Sequence, residues 1–149
     1  MVWGAFCGHR KLDLAFTSSK MNSNDYINVL QTRLLPFKRR YSRTKMIFQQ
    51  DNASIHKSAQ TMKWLKDKKI DVLPWPARSP DCNPIENLWG ILVRRIYANN
   101  KRYATVDELK IAITEAWNSV EPNIIKNLVN SMTNRIFAVI NKNGGPIKY

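Results

Sequence analysis

Apolar and polar positions in the first third of the chain predict a hairpin followed by a helix. Residues 1–7 (MVWGAFC) are strand-like, residues 12–16 (LDLAF) alternate with period two, and a turn-forming GHRK stretch lies between them. In residues 22–37, apolar side chains recur at helical spacing after cap-forming residues. This pattern predicts a helix that ends near Pro36, because proline breaks the helical hydrogen-bond pattern.

The next segments predict two strands on either side of a helix. Residues 46–51 (MIFQQD) begin with three consecutive apolar residues, as strands buried on both faces do. Residues 55–69 read as a lysine-rich amphipathic helix, and residues 70–76 (IDVLPWP) as a short strand that prolines end.

The second half of the chain predicts helices. One runs from Pro84 to about Asn99, the next begins with a capping box at Thr105 and ends near Ser119, and the last covers roughly residues 122–141. Strands that alternate with helices favour an α/β sheet, and we find no internal repeat. We therefore expect a single α/β domain over residues 1–149.

The charge of the chain favours a polyanionic partner. Its 24 Lys and Arg residues outnumber its 11 Asp and Glu residues, for a formal net charge of +13. Each phosphate that such a surface neutralises releases counterions and adds affinity, so a nucleic acid is the expected partner. The competing explanation is that many of these side chains are ordinary solvated residues. The candidate nucleic-acid-binding residues are Lys38, Arg39, Arg40, Arg43, Arg94 and Arg95. No apolar run is long enough to span a membrane, so no membrane association is expected.

Two acids stand where an α/β sheet would place a ligand. Asp51 ends the predicted strand 46–51, and Glu86 is the third residue of the helix that begins at Pro84. In helical projection Glu86 lies near Val93, inside the edge of the apolar stripe, which predicts a carboxylate that faces the body of the protein. Ligands bind beyond the carboxyl ends of strands in such sheets, and clustered carboxylates hold Mg²⁺ or Mn²⁺.

Each acid also has an ordinary structural explanation. An Asp-Asn pair at the end of a strand is common turn chemistry, which would account for Asp51. Asn83 as N-cap, Pro84 at the first helical position and Glu86 at the third match a capping box. For Glu86 alone the cap is the better explanation, so the metal-site hypothesis depends on the two acids acting together.

Three stretches carry a resemblance to a known family. The segments QQDNASIHKSAQ, LPWPARSPDCNPIENLWGILVRRI and SMTNRIFAVINKNGGPIKY resemble the catalytic domain of mariner-type transposases. In one branch of that family 34 residues separate the second Asp from the Glu, and 34 residues separate Asp51 from Glu86 here. The resemblance implies that Asp51 and Glu86 are catalytic metal ligands for Mg²⁺ or Mn²⁺. It also implies DNA as the substrate, a homodimer on transposon ends and a nuclear location.

The resemblance further implies a ribonuclease H-like fold, a mixed five-stranded sheet with helices on both faces. Matched onto that fold, residues 1–7 form the second strand. We therefore expect the central first strand, its catalytic Asp and a helix-turn-helix region upstream of Met1. Asp13 lies on the third strand and is expected to be too distant to replace the missing acid. Asp81 is placed to support Glu86 but has no feature of a metal ligand.

These expectations define the function predicted for the chain. It is expected to be part of the catalytic domain of a cut-and-paste DNA transposase and to be inactive alone, because one catalytic acid is expected elsewhere. Three alternatives stay open. Upstream sequence could complete an active metal-dependent nuclease and strand transferase, or the chain could be a non-catalytic, sequence-nonspecific nucleic-acid-binding remnant, or it could have no selected function.

Overall fold

The computed structural model describes residues 1–77 and 79–148. In that part of the chain the strands are β1 (Val2–Trp3), β2 (Phe6–Cys7), β3 (Arg10–Lys11) and β4 (Ala15–Phe16). The α-helices are α1 (Ser23–Val29), α2 (Leu35–Arg40), α3 (Ser54–Lys57), α4 (Ala59–Asp67), α5 (Pro84–Ile96), α6 (Val106–Asn118) and α7 (Pro122–Asn141). A π-helical segment covers Leu30–Leu34, and 3₁₀ turns cover Pro80–Cys82 and Ala98–Asn100.

The chain divides into two compact units. Unit 1 contains Met1–Gly4 and Leu12–Arg78, and unit 2 contains Ala5–Lys11 and Ser79–Tyr149. Each unit is therefore built from two separate stretches of sequence. The assignment of residues 1–149 to a single domain stays a prediction.

The predicted N-terminal hairpin is confirmed as two short antiparallel pairs. In unit 1, β1 pairs with β4, with Val2 opposite Phe16. In unit 2, β2 pairs with β3, with Cys7 opposite Arg10, and Gly8 at φ +62° allows the tight turn between them.

The predicted helix at residues 22–37 forms, but the prediction that it ends near Pro36 is wrong. Asn22 and Asp25 make a reciprocal capping box at its start, with both hydrogen bonds at 3.0 Å. The helix then widens, because the backbone N–H of Leu35 bonds to the carbonyl of Leu30, five residues back. A π-helical turn accommodates the proline ring that would clash in a regular α-helix, so the helical path continues to Arg40.

The core of unit 1 joins this helical region to α4 and to the segments predicted as strands. Tyr26, Leu30 and Leu65 are almost completely buried in it. The prediction of strands at 46–51 and 70–76 is wrong, because in the described part of the chain these segments meet only at one parallel bridge, between Phe48 and Val72. The pairing cannot extend toward the end of the second segment, because Pro74 and Pro76 have no N–H group to donate.

The single helix predicted over residues 55–69 is wrong, because the structure has two helices there. Ser58 leaves the helical conformation with ψ at 146° and separates α3 from α4. Its hydroxyl accepts a hydrogen bond from the backbone N–H of Thr61 at 3.2 Å, which caps α4.

In unit 2, the buried face of α5 is narrower than the sequence predicts. Its buried residues recur every fourth position, at Pro84, Leu88, Leu92 and Ile96. Val93 is 54% exposed, so the predicted stripe that includes it is too wide. The helix also ends at Ile96 rather than near Asn99.

The two last helices match their predictions closely. The hydroxyl of Thr105 accepts from the N–H of Glu108 at 3.1 Å, as a capping residue should, and α6 ends at Asn118. The helix predicted for residues 122–141 has those bounds in the structure. Within residues 1–77 and 79–148, we find no helix whose length and hydropathy would let it cross a membrane.

Candidate active site

Asp51 lies on a turn that fixes one of its two carboxylate oxygens. Oδ1 accepts a hydrogen bond from the backbone N–H of Ala53 at 3.0 Å and lies 2.5 Å from Nδ1 of His56. The side chain is nevertheless 58% exposed. The expected turn chemistry is therefore present, but it leaves much of the carboxylate open to solvent.

A buried hydrogen-bond network in unit 1 supports this turn. The hydroxyl of Tyr26 donates to Oε1 of Gln50 at 2.8 Å, and Nε2 of Gln50 donates to the carbonyl of His56 at 3.2 Å. The Tyr26 and His56 rings also pack together, with centroids 4.2 Å apart. Burial raises the pKa of Tyr26 well above its usual range, so its hydroxyl keeps its proton and remains a donor. The turn that presents Asp51 is thus tied to the core.

The sequence analysis does not predict the contact between His56 and Asp51. The spacing of five residues across a turn that leads into a helix is the signal that could have suggested the contact. Gln50 offered a second signal, because it is a polar residue at the end of an apolar segment and is only 8% exposed.

Glu86 lies in the first turn of α5, and its surroundings differ from the expectation. The residue is exposed, so the prediction that its carboxylate faces the body of the protein is wrong. The reason is the narrow buried face of α5, which excludes the Val93 side of the helix. The side chain of Asn83 makes no capping hydrogen bond, so the reciprocal capping box proposed for this helix is not formed.

The two candidate ligands belong to different units of the chain. Asp51 lies in unit 1 and Glu86 in unit 2. In the described ranges 1–77 and 79–148, no group of three or more His, Cys, Asp or Glu side chains is arranged to hold a metal ion. Two exposed carboxylates still suit Mg²⁺, which proteins often bind through one or two carboxylates together with water and substrate phosphates. The type of ligand therefore fits a hard divalent cation.

Several basic residues of unit 1 lie at or just beyond the ends of two neighbouring helices, α2 and α4. The Lys38 ammonium donates to the carbonyls of Lys68 and Lys69, just beyond α4. This contact places the end of α2 beside the end of α4. We call the exposed basic residues there the unit 1 basic surface: Arg39, Arg40, Arg43, Lys66, Lys68 and Lys69.

The remaining predicted nucleic-acid-binding residues lie on α5. Arg94 and Arg95 are both exposed in the last turn of that helix. Arg95 donates to the hydroxyl of Ser119 at 3.2 Å, so part of its guanidinium is used within unit 2. A role for these residues in binding DNA stays a prediction.

Solved structures share the fold of this chain. The catalytic domain of Mos1 transposase, solved with raltegravir and Mg, matches 99% of the chain and 76% of its own chain, with a TM-score of 0.84 and 17% sequence identity. The crystal structure of the catalytic domain of Mos1 mariner transposase gives a TM-score of 0.76 at 19% identity, with 99% and 83% covered. These matches confirm the predicted ribonuclease H-like α/β class.

Sequence comparison then defines the family. Residues 1–110 match the family model described as DDE superfamily endonuclease, so the chain belongs to that family. The Tc3 transposase of Caenorhabditis elegans is 56% identical over 149 residues, which is 100% of this chain and 45% of the relative. The Tc1 transposase of the same species is 34% identical, with 100% and 54% covered.

These matches confirm the resemblance to mariner-type transposases and the predicted class, the catalytic region of a DNA transposase. They do not favour the alternative of a non-catalytic nucleic-acid-binding remnant. The chain spans about half the length of the curated relatives it matches.

Proposed function

We propose that this chain provides two acidic metal ligands, Asp51 and Glu86, to a cut-and-paste DNA transposase. The observation that carries the proposal is the Asp51 carboxylate, which is exposed yet held in place at the end of the 46–51 segment. Family membership and the spacing of 34 residues to Glu86 support it. Mos1 catalytic domains solved with Mg and with Mn support the choice of cation.

The residues around Asp51 would orient the carboxylate before a cation arrives. Among the described residues, both contacts of the carboxylate fall on Oδ1, which leaves Oδ2 for an ion. Because the turn is already fixed, little side-chain freedom would be lost on binding. The chemistry that a bound Mg²⁺ or Mn²⁺ supplies in such a site is activation of water or a 3′-hydroxyl and stabilisation of the leaving oxygen.

DNA is the proposed substrate, and the unit 1 basic surface is the proposed contact with its phosphates. Its six cationic side chains are exposed, and the contact of Lys38 with the carbonyl of Lys68 brings the ends of α2 and α4 together. Mos1 mariner transposase has been solved as a paired end complex with Mn, which supports a homodimer on transposon ends as part of this proposal. A nuclear location is part of this proposal, because DNA is the proposed substrate and the similar Tc3 and Tc1 transposases come from a eukaryote, Caenorhabditis elegans.

Neutralising two arginines tests the DNA contact. The double variant Arg39→Gln with Arg40→Gln is expected to weaken binding to duplex DNA and to reduce the slope of log K against log salt by about 1.8, because each lost phosphate contact contributes about 0.9. Fluorescence anisotropy at several salt concentrations measures both quantities. The matched control, Lys110→Gln with Lys126→Gln, removes two positive charges from unit 2. Equal slopes in the two double variants, or a parent slope near zero, would contradict the proposal.

A further inference from the structure

The C-terminal segment of unit 2, residues 142–148, folds back onto the protein. Asn143 at φ +49° and Gly144 at φ +84° reverse the chain after α7. The N–H of Gly144 bonds to the carbonyl of Val139 at 2.9 Å, and the Lys142 ammonium bonds to the carbonyl of Pro146 at 3.0 Å. Ile147 is only 6% exposed. The Gly-Gly-Pro stretch therefore begins an anchored segment.

The anchor point of this segment is Asp81. The backbone N–H of Ile147 donates to Oδ2 of Asp81 at 2.8 Å. From α7, Nη1 of Arg135 donates to the backbone carbonyl of Asp81, also at 2.8 Å. Arg135 is 2% exposed, and its Nε donates to the hydroxyl of Ser131 at 2.9 Å. Two elements distant in sequence thus hold the carboxylate and the backbone of one residue.

Asp81 lies immediately before the helix that carries Glu86. It is the central residue of the 3₁₀ turn Pro80–Cys82, and the N–H of Asn83 bonds to the carbonyl of Pro80 at 3.0 Å. The N–H of Glu86 in turn bonds to the carbonyl of Asn83 at 3.1 Å. Two backbone hydrogen bonds therefore connect the turn that contains Asp81 to the first turn of α5.

A purely structural role explains this arrangement poorly. A buried guanidinium is costly to desolvate, and an apolar side chain would fill the same space at lower cost. Arg135 instead fixes the position of the Asp81 carbonyl, because the hydrogen-bond donors of a guanidinium have a rigid planar geometry.

We propose that Arg135 and residues 142–148 form a C-terminal clamp on Asp81, which positions the first turn of α5 and with it Glu86. The clamp rests on the proposed function only where it treats Glu86 as a metal ligand. Asp81, Arg135 and Ile147 are positioning residues in this proposal, because they act on Glu86 through the turn and not on the ion itself.

The test replaces Asp81 in the full 149-residue chain and reads two signals. Asp81→Ala removes the acceptors for the N–H groups of Ile147 and Cys82. It is expected to speed amide hydrogen exchange over residues 82–88 by at least about fivefold, the factor that the loss of one net hydrogen bond implies. Mn²⁺ affinity, measured well below the unfolding temperature, is expected to fall about threefold to tenfold, a range that includes the effect of losing one hydrogen bond. Asp81→Asn keeps one acceptor oxygen and should recover most of both effects. Asp107→Ala removes the same charge from an exposed site in unit 2 and should change neither signal.

The exchange result decides the clamp independently of the metal. Unchanged exchange over residues 82–88 in Asp81→Ala would overturn it. If Asp81→Ala does not fold, Lys142→Ala releases Pro146 from the exposed tail and should speed exchange over the same residues, and no change there would also overturn the clamp.

The metal result separates the clamp from the proposed function. If Asp51→Asn lowers Mn²⁺ affinity and Asp81→Ala does not, the metal site stands and the positioning role is wrong. If Asp51→Asn leaves Mn²⁺ affinity unchanged, the proposed function fails. In that case, faster amide exchange in Asp81→Ala would still support the conclusion that the C-terminal clamp positions the first turn of α5.

Discussion

Replacing Asp51 by asparagine, or Glu86 by glutamine, is expected to lower the Mn²⁺ affinity of the chain at least about tenfold. Each change keeps the size of the side chain but removes a charged oxygen ligand. Even the loss of a residue that only hydrogen-bonds a metal ligand lowers metal affinity about 10-fold or more. Isothermal titration with Mn²⁺ measures the effect. If the two acids serve only a turn and a cap, each change would instead cost about 1 kcal/mol of stability with metal binding unchanged.

Two exposed acids of unit 2 provide matched controls for this experiment. Asp107→Asn and Glu115→Gln make the same chemical changes on α6, away from either candidate ligand in sequence. Their Mn²⁺ affinities should equal that of the parent chain. A comparable loss of affinity in the controls would show that general electrostatic attraction, and not a site at Asp51 and Glu86, binds the cation.

Truncating Leu88 to alanine is expected to destabilise the protein by about 2–5 kcal/mol, the range for removing a buried leucine side chain. Leu88 is 0% exposed on α5, the helix that carries Glu86. Val93→Ala, on the same helix at a position that is 54% exposed, should change stability by less than about 0.5 kcal/mol. Urea unfolding of both variants measures the difference in stability. Equal losses of stability would support the wider apolar stripe that the sequence predicts.

Local sequence signals predict most of the helices of this fold, but they predict the ends of those helices and the strands at 46–51 and 70–76 less well. The hairpin, the capped start of α1 and the bounds of α7 follow from turn residues, caps and periodicity. The sequence predicts that Pro36 ends a helix and that Ser58 lies within one, and both predictions are wrong. Pro36 sits inside a helical path because a π-helical turn makes room for it, and Ser58 divides a helical pattern because its hydroxyl caps the following helix.

At the candidate site, too, local sequence patterns predict some features, and others depend on how the chain folds. The spacing of Asp51 and Glu86, together with the motifs around them, was enough to indicate the family. Periodicity placed Glu86 on the wrong side of its helix, because it reports which residues share a face and not how wide the buried part of that face is. His56 was missed because its contact with Asp51 depends on how the turn folds.

The C-terminal clamp had no sequence signal that pattern analysis could detect. The hydrogen bond from Ile147 to Asp81 joins residues 66 positions apart. Arg135 occupies a helix that otherwise reads as amphipathic, and nothing local distinguishes it from an exposed cation. Contacts of this kind depend on tertiary packing, so they can be described only once the fold is known.

The most direct test of the central claim is paramagnetic broadening of backbone amide NMR signals by Mn²⁺ added below one equivalent. If Asp51 and Glu86 are both ligands, the signals of residues 51–56 and 85–88 should broaden first and together. The signals around Asp107 should stay sharp, because this exposed acid is not part of the proposed site. Broadening at only one of the two segments, or equal broadening around Asp107, would contradict the account.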